Sequence, residues 1–324
     1  MQRLRADADW MAAAIALSRR GRPASAPNPN VGCIFVKDGR VVGRGWTQAG
    51  GRPHAEAVAL AAAGDAARGA TAYVSLEPCA HASARGPACS DSLIAAGVAR
   101  VMIAAQDPDS RTDGRGIARL QDAGIEVVFN VMPAEARAAM APWWTRQAEG
   151  RPFVTLKLAT SLDGRIARAD GASRWITGAR ARAHGHLERA MHQAILVGRG
   201  TYEADSPTLD VRLPGLEDRR PRRLLLTHGA APAGWTAVAS PESVAGVDSL
   251  LVEGGAGAAS AFLTADRVDR LLLYRAPILI GAGKAALGDI GLADLADAHG
   301  RWRLADSRLL GSDRLDVYER VREG

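Results

Sequence analysis

Apolar residues in residues 7–20 recur at helical spacing and stop at Gly21, which predicts an amphipathic helix. The pattern then changes. VGCIFVKDGRVVGRGW (31–46) has two apolar runs about Asp38-Gly39, a hairpin signal. HAEAVALAAAG (54–64) reads as a helix stopped by Gly64, TAYVSLEP (71–78) as a strand, and CSDSLIAAG (89–97) as a helix closed by Gly97. RVMIAA, IARLQDAG and EVVFNV continue as strand, helix and strand, and PAEARAAMAPWWTRQAEG (133–150) is a helix broken by Pro142. Strands alternating with short helices predict a sheet covered on both faces.

A second unit starts near FVTLKLATSLDG (153–164), after Gly150 and Pro152, with the boundary expected within 145–152. Helix 179–192 leads to the strand AILVG (194–198) and a polar loop, GTYEADSPTLDVR (200–212). Further strands are RRLLLTH (222–228), SLLVEGG (249–255) and DRLLLYRAPILIG (269–281), with LGSDRLDVYERV as the last. No repeat or low-complexity segment appears.

The length of 324 residues suits two domains, and the composition is that of a globular protein. No apolar run approaches the ~20 residues of a membrane span. The N-terminal segment, with Asp7 and Asp9 ahead of its apolar centre, does not read as a signal peptide. A cytoplasmic location is therefore expected, where thiols stay reduced and a Cys79–Cys89 disulfide is disfavoured. The net charge of +6 is carried almost wholly by arginine, the lysines being Lys37, Lys157 and Lys284. It suits anionic small molecules, and no basic block marks a nucleic-acid tail.

The chemistry begins at EPCAHASARGPAC (77–89). His54 opens one predicted helix, Cys79 follows a strand, and Cys89 opens the next helix. One His and two Cys leave a fourth position open on a tetrahedral zinc, which suits catalysis better than a closed structural site. Helix starts favour thiolates. Glu56, in the first turn after His54, is placed to move a proton between an attacking water and a leaving amine. A His-x-Glu element followed by Pro-Cys and a second Cys is the signature of zinc deaminases. Deaminases of nucleosides and polynucleotides have two residues between the cysteines; here there are nine. Singly, His54 would be an ordinary histidine and either cysteine a small core residue; order and spacing together make the site. Cys33, in an apolar strand, reads as core.

With Asn28-Pro29-Asn30-Val31-Gly32-Cys33, Gln106-Asp107-Pro108 and the long cysteine spacing, the first half resembles the deaminase domain of the bifunctional riboflavin-biosynthesis deaminase/reductase family. The resemblance covers essentially the whole chain. It implies an α/β protein with a cytidine-deaminase-like α/β/α domain (1–148) and a dihydrofolate-reductase-like α/β domain (149–324). It implies His54, Cys79 and Cys89 as ligands of one Zn2+ and Glu56 as the catalytic proton shuttle. The cysteine loop departs from the family: it is one residue longer and lacks the usual Thr, while His81 is kept and Arg85 stands near the usual basic residue.

In the second half, LLVEGGAGAAS (250–260) is a strand entering a Gly-rich turn and a helix, a place where backbone N–H groups can approach phosphate, although small residues alone often only permit close packing. It lacks the Gly pattern of a standard dinucleotide fold, and GAGK before Ala285 lacks the context of a phosphate loop. KLATSLDG, SRWIT and GTYEADSPTLDVR resemble the same family's NADPH-dependent reductase domain. By that resemblance Ala159, Trp175, Thr201, Asp205 and the turn Gly255, Ala256, Gly257, Ala258, Ala259, Ser260 and Ala261 contact NADPH. Ser173, Arg189, Leu209, Arg212 and Glu253 contact substrate. Arg189 and Arg212 have the chemistry to grip a sugar phosphate, and Glu253 to bind ribose hydroxyls. Residues 213–248 are short for the family, and Thr227-His228 stands where Asp-Ser is usual.

The implied reactions are deamination of a diaminopyrimidinone ribosylamine 5′-phosphate and reduction of its ribosyl to a ribityl chain. The implied partners are that substrate and further copies of the chain, joined through the second domain, with no nucleic acid and no membrane. Two rival readings stay open: a zinc deaminase with a merely structural second half, and a nucleic-acid deaminase with a binding module.

Overall fold

In the computed structural model, residues 2–322 are described, and the chain divides into two compact units, Met1–Gly150 and Arg151–Gly324. The first unit is built on a five-stranded sheet in the order β2-β1-β3-β4-β5. Its strands are β1 (Gly32–Lys37), β2 (Arg40–Trp46), β3 (Thr71–Val74), β4 (Arg100–Ile103) and β5 (Glu126–Val128). The hairpin turns at Asp38 and Gly39, both with positive φ (50° and 72°), which matches the twist of the flanking strands. β3, β4 and β5 run parallel.

Among the described residues, six α-helices flank that sheet: α1 (Gln2–Ser18), α2 (Ala55–Ala63), α3 (Cys89–Ala96), α4 (Arg115–Asp122), α5 (Pro133–Ala139) and α6 (Ala141–Glu149). α1 lies over Gly32 of β1, and α2 lies over Gly43 and Gly45 of β2. Gly45 pairs with Cys33, the neighbour of Gly32, so the two helices cover opposite faces. A Cβ at Gly45 would run into the Ala55 carbonyl, so glycine there lets α2 seat its first turn directly on the sheet. Asp7 of α1 is buried against Arg100 of β4 at 3.0 Å and accepts from the Tyr73 hydroxyl at 2.6 Å, which ties α1 to the sheet. Pro142 sits in the first turn of α6, where no backbone N–H is required, and the helix breaks just ahead of it at Met140.

The second unit has an eight-stranded sheet, β10-β9-β8-β11-β6-β12-β15-β14. The strands are β6 (Phe153–Thr160), β8 (Ala194–Gly198), β9 (Arg222–Leu226), β10 (Thr236–Val238), β11 (Ser249–Val252), β12 (Arg270–Arg275), β14 (Trp302–Leu310) and β15 (Asp313–Arg320). All pairs are parallel except those made by β15. β7 (Arg165–Ala167) and β13 (Lys284–Ala285) form a separate ribbon. The helices are α7 (Ala179–Ala190), α8 (Arg199–Asp205) and α9 (Ala256–Thr264).

Some sequence expectations change here, among them the strand expected over 269–281, which ends at Arg275. The segment expected to be a polar loop opens as helix α8, closed by Ser206 with φ 41°. Its helical signal is faint because it lasts seven residues and buries none of them. Leu310-Gly311-Ser312, expected to begin the final strand, instead ends β14 at Leu310 and turns at Gly311-Ser312; β14 is not legible in the sequence, because it is almost wholly exposed and lacks a buried apolar face.

Candidate active sites in the two units

In the first unit, His54 is the N-cap of α2 and Cys89 is the first residue of α3, while Cys79 lies in the segment after β3. His54 Nδ1 is 3.3 Å from Cys89 Sγ and 3.6 Å from Cys79 Sγ, and the three donor atoms lie within 4.8 Å of one another. The cysteines are free and buried. Zn–N and Zn–S bonds of roughly 2.0 and 2.3 Å at tetrahedral angles place N and S about 3.6 Å apart. The donor set therefore fits one zinc ion.

Backbone groups support this arrangement. The Cys89 N–H donates to Cys79 Sγ at 3.3 Å, and the Cys79 carbonyl accepts from Ser90 N–H and Oγ–H at 3.2 and 3.1 Å. A hydrogen bond from Cys89 drives the Cys79 thiol far below its usual range, with His54 assisting against burial. The Asn28 amide lies 3.4 Å from His54 Nε2 on the other side of the ring. Glu56 is buried in the first turn of α2, and burial raises its carboxyl above the usual range. A carboxyl whose charged form is disfavoured by burial suits a group that must both take and return a proton.

The long cysteine loop closes on itself without spreading the ligands. Ser83 and Gly86 exchange two backbone hydrogen bonds of 3.0 Å, and Arg85 Nη1 donates to the Gly50 carbonyl at 2.9 Å. Cys33 is fully buried in the core.

Sequence reasoning gave no role to Glu77. Its carboxylate accepts from the N–H groups of Gly114, Gly116 and Ile117 at 3.0, 2.9 and 3.2 Å, and from Asp107 N–H at 3.3 Å. It thus anchors the start of α4 and the Gln106-Asp107-Pro108 segment to the strand end two residues before Cys79. Its place in Glu-Pro-Cys was the available signal, but its partners are 30 to 40 residues away.

The second unit has a cleft of about 1000 Å³ over the carboxyl ends of the central strands. Ala159, Ser173, Trp175, Arg189, Thr201, Asp205, Leu209, Arg212, Glu253, Gly255, Ala256, Gly257 and Ala258 all line it. Ala259, Ser260 and Ala261 do not: they continue α9 away from the cleft, and Ser260 Oγ instead accepts from Gly288 N–H at 2.9 Å. Thr201 Oγ1 accepts from Gly255 N–H, the N-cap of α9, at 2.9 Å, which brings the start of α8 against the start of α9. A Cβ at Gly200 or Gly257 would meet nothing, so the cleft floor is open where backbone must approach a phosphate. These features fit a dinucleotide.

The Glu253 side chain is buried and bidentate to Arg189, with Nε–Oε1 2.7 Å and Nη2–Oε2 2.9 Å, and Lys157 Nζ is 3.6 Å away. Burial opposes its ionisation, but Lys157 and Arg189 outweigh it and bring the carboxyl down to about 2. Arg189 also donates Nη1 to the Asp210 carbonyl at 3.0 Å, so its guanidinium is engaged within the protein. Arg212 is exposed at the cleft. Lys157, which had no assigned role, lies in the cleft 6.0 Å from the Tyr274 ring centre. A lysine in a chain that otherwise uses arginine was the signal for it. Trp175 is two-thirds exposed, with the Arg182 guanidinium 4.7 Å over its ring.

Residues 4–105 match the family profile of the cytidine and deoxycytidylate deaminase zinc-binding region, and residues 152–236 and 243–315 match the RibD C-terminal domain. The chain is 40% identical over 359 residues to the riboflavin biosynthesis protein RibD of Escherichia coli strain K12, covering 95% of this chain and 97% of that protein. The chain belongs to the RibD family.

The RibD protein of Mycobacterium tuberculosis strain H37Rv is 38% identical over 95% of its own length. The crystal structure of the deaminase/reductase of Thermotoga maritima superposes with a TM-score of 0.88 at 30% identity, covering 98% of this chain and all of that one. Acinetobacter baumannii RibD superposes with a TM-score of 0.85 at 33% identity. As a RibD-family member the chain is a bifunctional deaminase and reductase of riboflavin biosynthesis, with a cytidine-deaminase-like first domain and a dihydrofolate-reductase-like second one. Its cofactors are Zn2+ and NADPH, and its substrate is a phosphorylated pyrimidine. No helix among the described residues is long and apolar enough to cross a membrane.

Proposed function

We propose that residues 1–148 deaminate 2,5-diamino-6-ribosylamino-4(3H)-pyrimidinone 5′-phosphate and that residues 149–324 reduce the ribosyl group of the product to ribityl. The observation that carries this is the convergence of His54, Cys79 and Cys89 with the buried Glu56 beside them. Zinc held by those three residues supplies the Lewis acidity that makes water a nucleophile at neutral pH. Glu56 takes a proton from that water as it attacks the ring carbon bearing the 2-amino group, and returns a proton to the departing ammonia.

In the second unit, NADPH supplies hydride to C1 of the ribose. The turn from Gly255 to Ala258, with Thr201, Ala159, Trp175 and Asp205, holds the cofactor. Glu253, oriented by Arg189 and Lys157, accepts hydrogen bonds from the sugar hydroxyls, with Ser173 and Leu209 shaping the walls. Arg212, exposed at the cleft, offers donors for the 5′-phosphate. The enzyme acts in the cytoplasm as a homo-oligomer through its second domain, with no nucleic-acid or membrane partner.

The test is to supply the pyrimidine phosphate with and without NADPH and to identify products by mass. Without NADPH a deaminated ribosylamino product should accumulate; with it, the ribityl product. No mass change without NADPH overturns the deaminase assignment. Deamination followed by no reduction favours a structural second half.

A further inference from the structure

The substrate end of the second cleft is marked by Lys157 of β6, Tyr274 of β12 and Glu253, which follows β11 beside β6. The open floor at α9 follows β11, in the middle of the sheet. A dinucleotide with its pyrophosphate at α9 and its nicotinamide at β6 must send its adenosine the other way, over β8 and β9. What waits there is a cation. Arg199 follows directly on β8 and lines the cleft, as does Leu226, the last residue of β9. Gly198 and Leu226 are partners in the parallel ladder, so Arg199 and Thr227 leave adjacent strands side by side.

Arg199 Nε and Nη2 donate to Thr227 Oγ1 at 3.3 and 3.0 Å, and Nη2 also donates to the Ala230 carbonyl at 2.6 Å. Thr227 Oγ1 accepts from Gly229 N–H as well, at 3.1 Å. The hydroxyl is thus filled as an acceptor and keeps its own proton to donate. Arg199 Nη1 has no hydrogen-bond partner among the described residues. A dinucleotide site selective for a free ribose 2′-hydroxyl places a carboxylate at this end, whereas an arginine accommodates a 2′-phosphate. Here the nearest acid is Glu203, 3.9 Å from Arg199 Nε and two-thirds exposed. The position offers spare donors and no buried acceptor.

We propose that Arg199, braced by Thr227, binds the adenosine 2′-phosphate and makes the reductase selective for NADPH over NADH. This rests on the cofactor assignment above and adds a specificity residue to it. The bracing bonds fix the guanidinium without neutralising it, so the charge is presented already ordered.

Calorimetric titration of the full-length protein with NADPH and NADH tests this without turnover. Arg199→Met should weaken NADPH about 10- to 100-fold, the range for a hydrogen bond to a charged group. It should leave NADH within about two-fold. Arg199→Lys should recover part of the lost NADPH affinity, since the charge returns without the forked geometry. Adenosine 2′,5′-bisphosphate should lose affinity on Arg199→Met while adenosine 5′-monophosphate should not. Equal loss for NADPH and NADH would mean that Arg199 only tethers residues 227–230, and overturns the proposal; so does no change for either. If the unmodified protein binds neither dinucleotide, the cofactor assignment itself fails.

Discussion

The first backbone N–H of α3, on Cys89, points at the sulfur of Cys79, 3.3 Å away. The residue that contributes one thiol to the cluster thereby holds the other. A helix start turned toward sulfur favours the charged thiolate that a metal requires. Replacing either cysteine with serine should bring zinc from about one per chain to near zero, read by elemental analysis of purified protein. Retention of stoichiometric zinc in Cys79→Ser would show that the ligand set is misassigned.

Glu56 lies next to the ligands without being one of them. Glu56→Gln should keep zinc and lose deamination by about 10²- to 10⁴-fold, the usual worth of a positioned acid–base group. Oxidation of NADPH with a supplied deaminated substrate should persist, because the cofactor cleft is built wholly from the second unit. Loss of both activities in a folded variant would contradict independent sites.

Glu77 satisfies four backbone donors at the start of α4 and around Asp107. Glu77→Ala orphans these groups, each at a cost of about 1–3 kcal/mol where water cannot reach. Thermal unfolding should show a drop of several degrees, and zinc should leave faster under chelator challenge. Gly116→Ala should behave similarly, since its Cβ would meet the Pro78 carbonyl. Unchanged melting and zinc release in both would remove Glu77 from any supporting role.

The Arg189–Glu253 pair gives the second unit an acid-sensitive element. With the folded carboxyl at about 2, below its ordinary value of 4.5, the unfolded chain binds the proton more readily. The pair's stabilisation is therefore complete above about pH 4.5 and is lost as pH falls toward 2. Glu253→Gln should flatten the acid limb of unfolding over that interval. It should also destabilise at neutral pH by about 3–5 kcal/mol, by leaving Arg189 and Lys157 facing a neutral amide. An acid limb unchanged by Glu253→Gln would count against the pairing.

Most elements were legible because local rules wrote them. Asp38-Gly39 set the hairpin, Gly97 and Gly150 closed helices in the left-handed conformation, and Pro142 fixed where α6 begins. Elements that bury little left a weaker trace: α8 and the exposed strand β14 have no apolar stripe to read.

The sequence by itself determined the chemical inventory. His54, Glu56, Cys79 and Cys89 were readable because a ligand's element and a shuttle's distance from it are local properties of the chain. Tertiary structure alone decided which polar groups face one another. Only the folded chain brings Glu253 against Arg189, Glu77 against Gly116, and Arg199 against Thr227, pairs separated by 64, 39 and 28 positions. Spacing along a chain carries no information about such meetings. They depend on strand order, and strand order is settled by burial of the whole sheet.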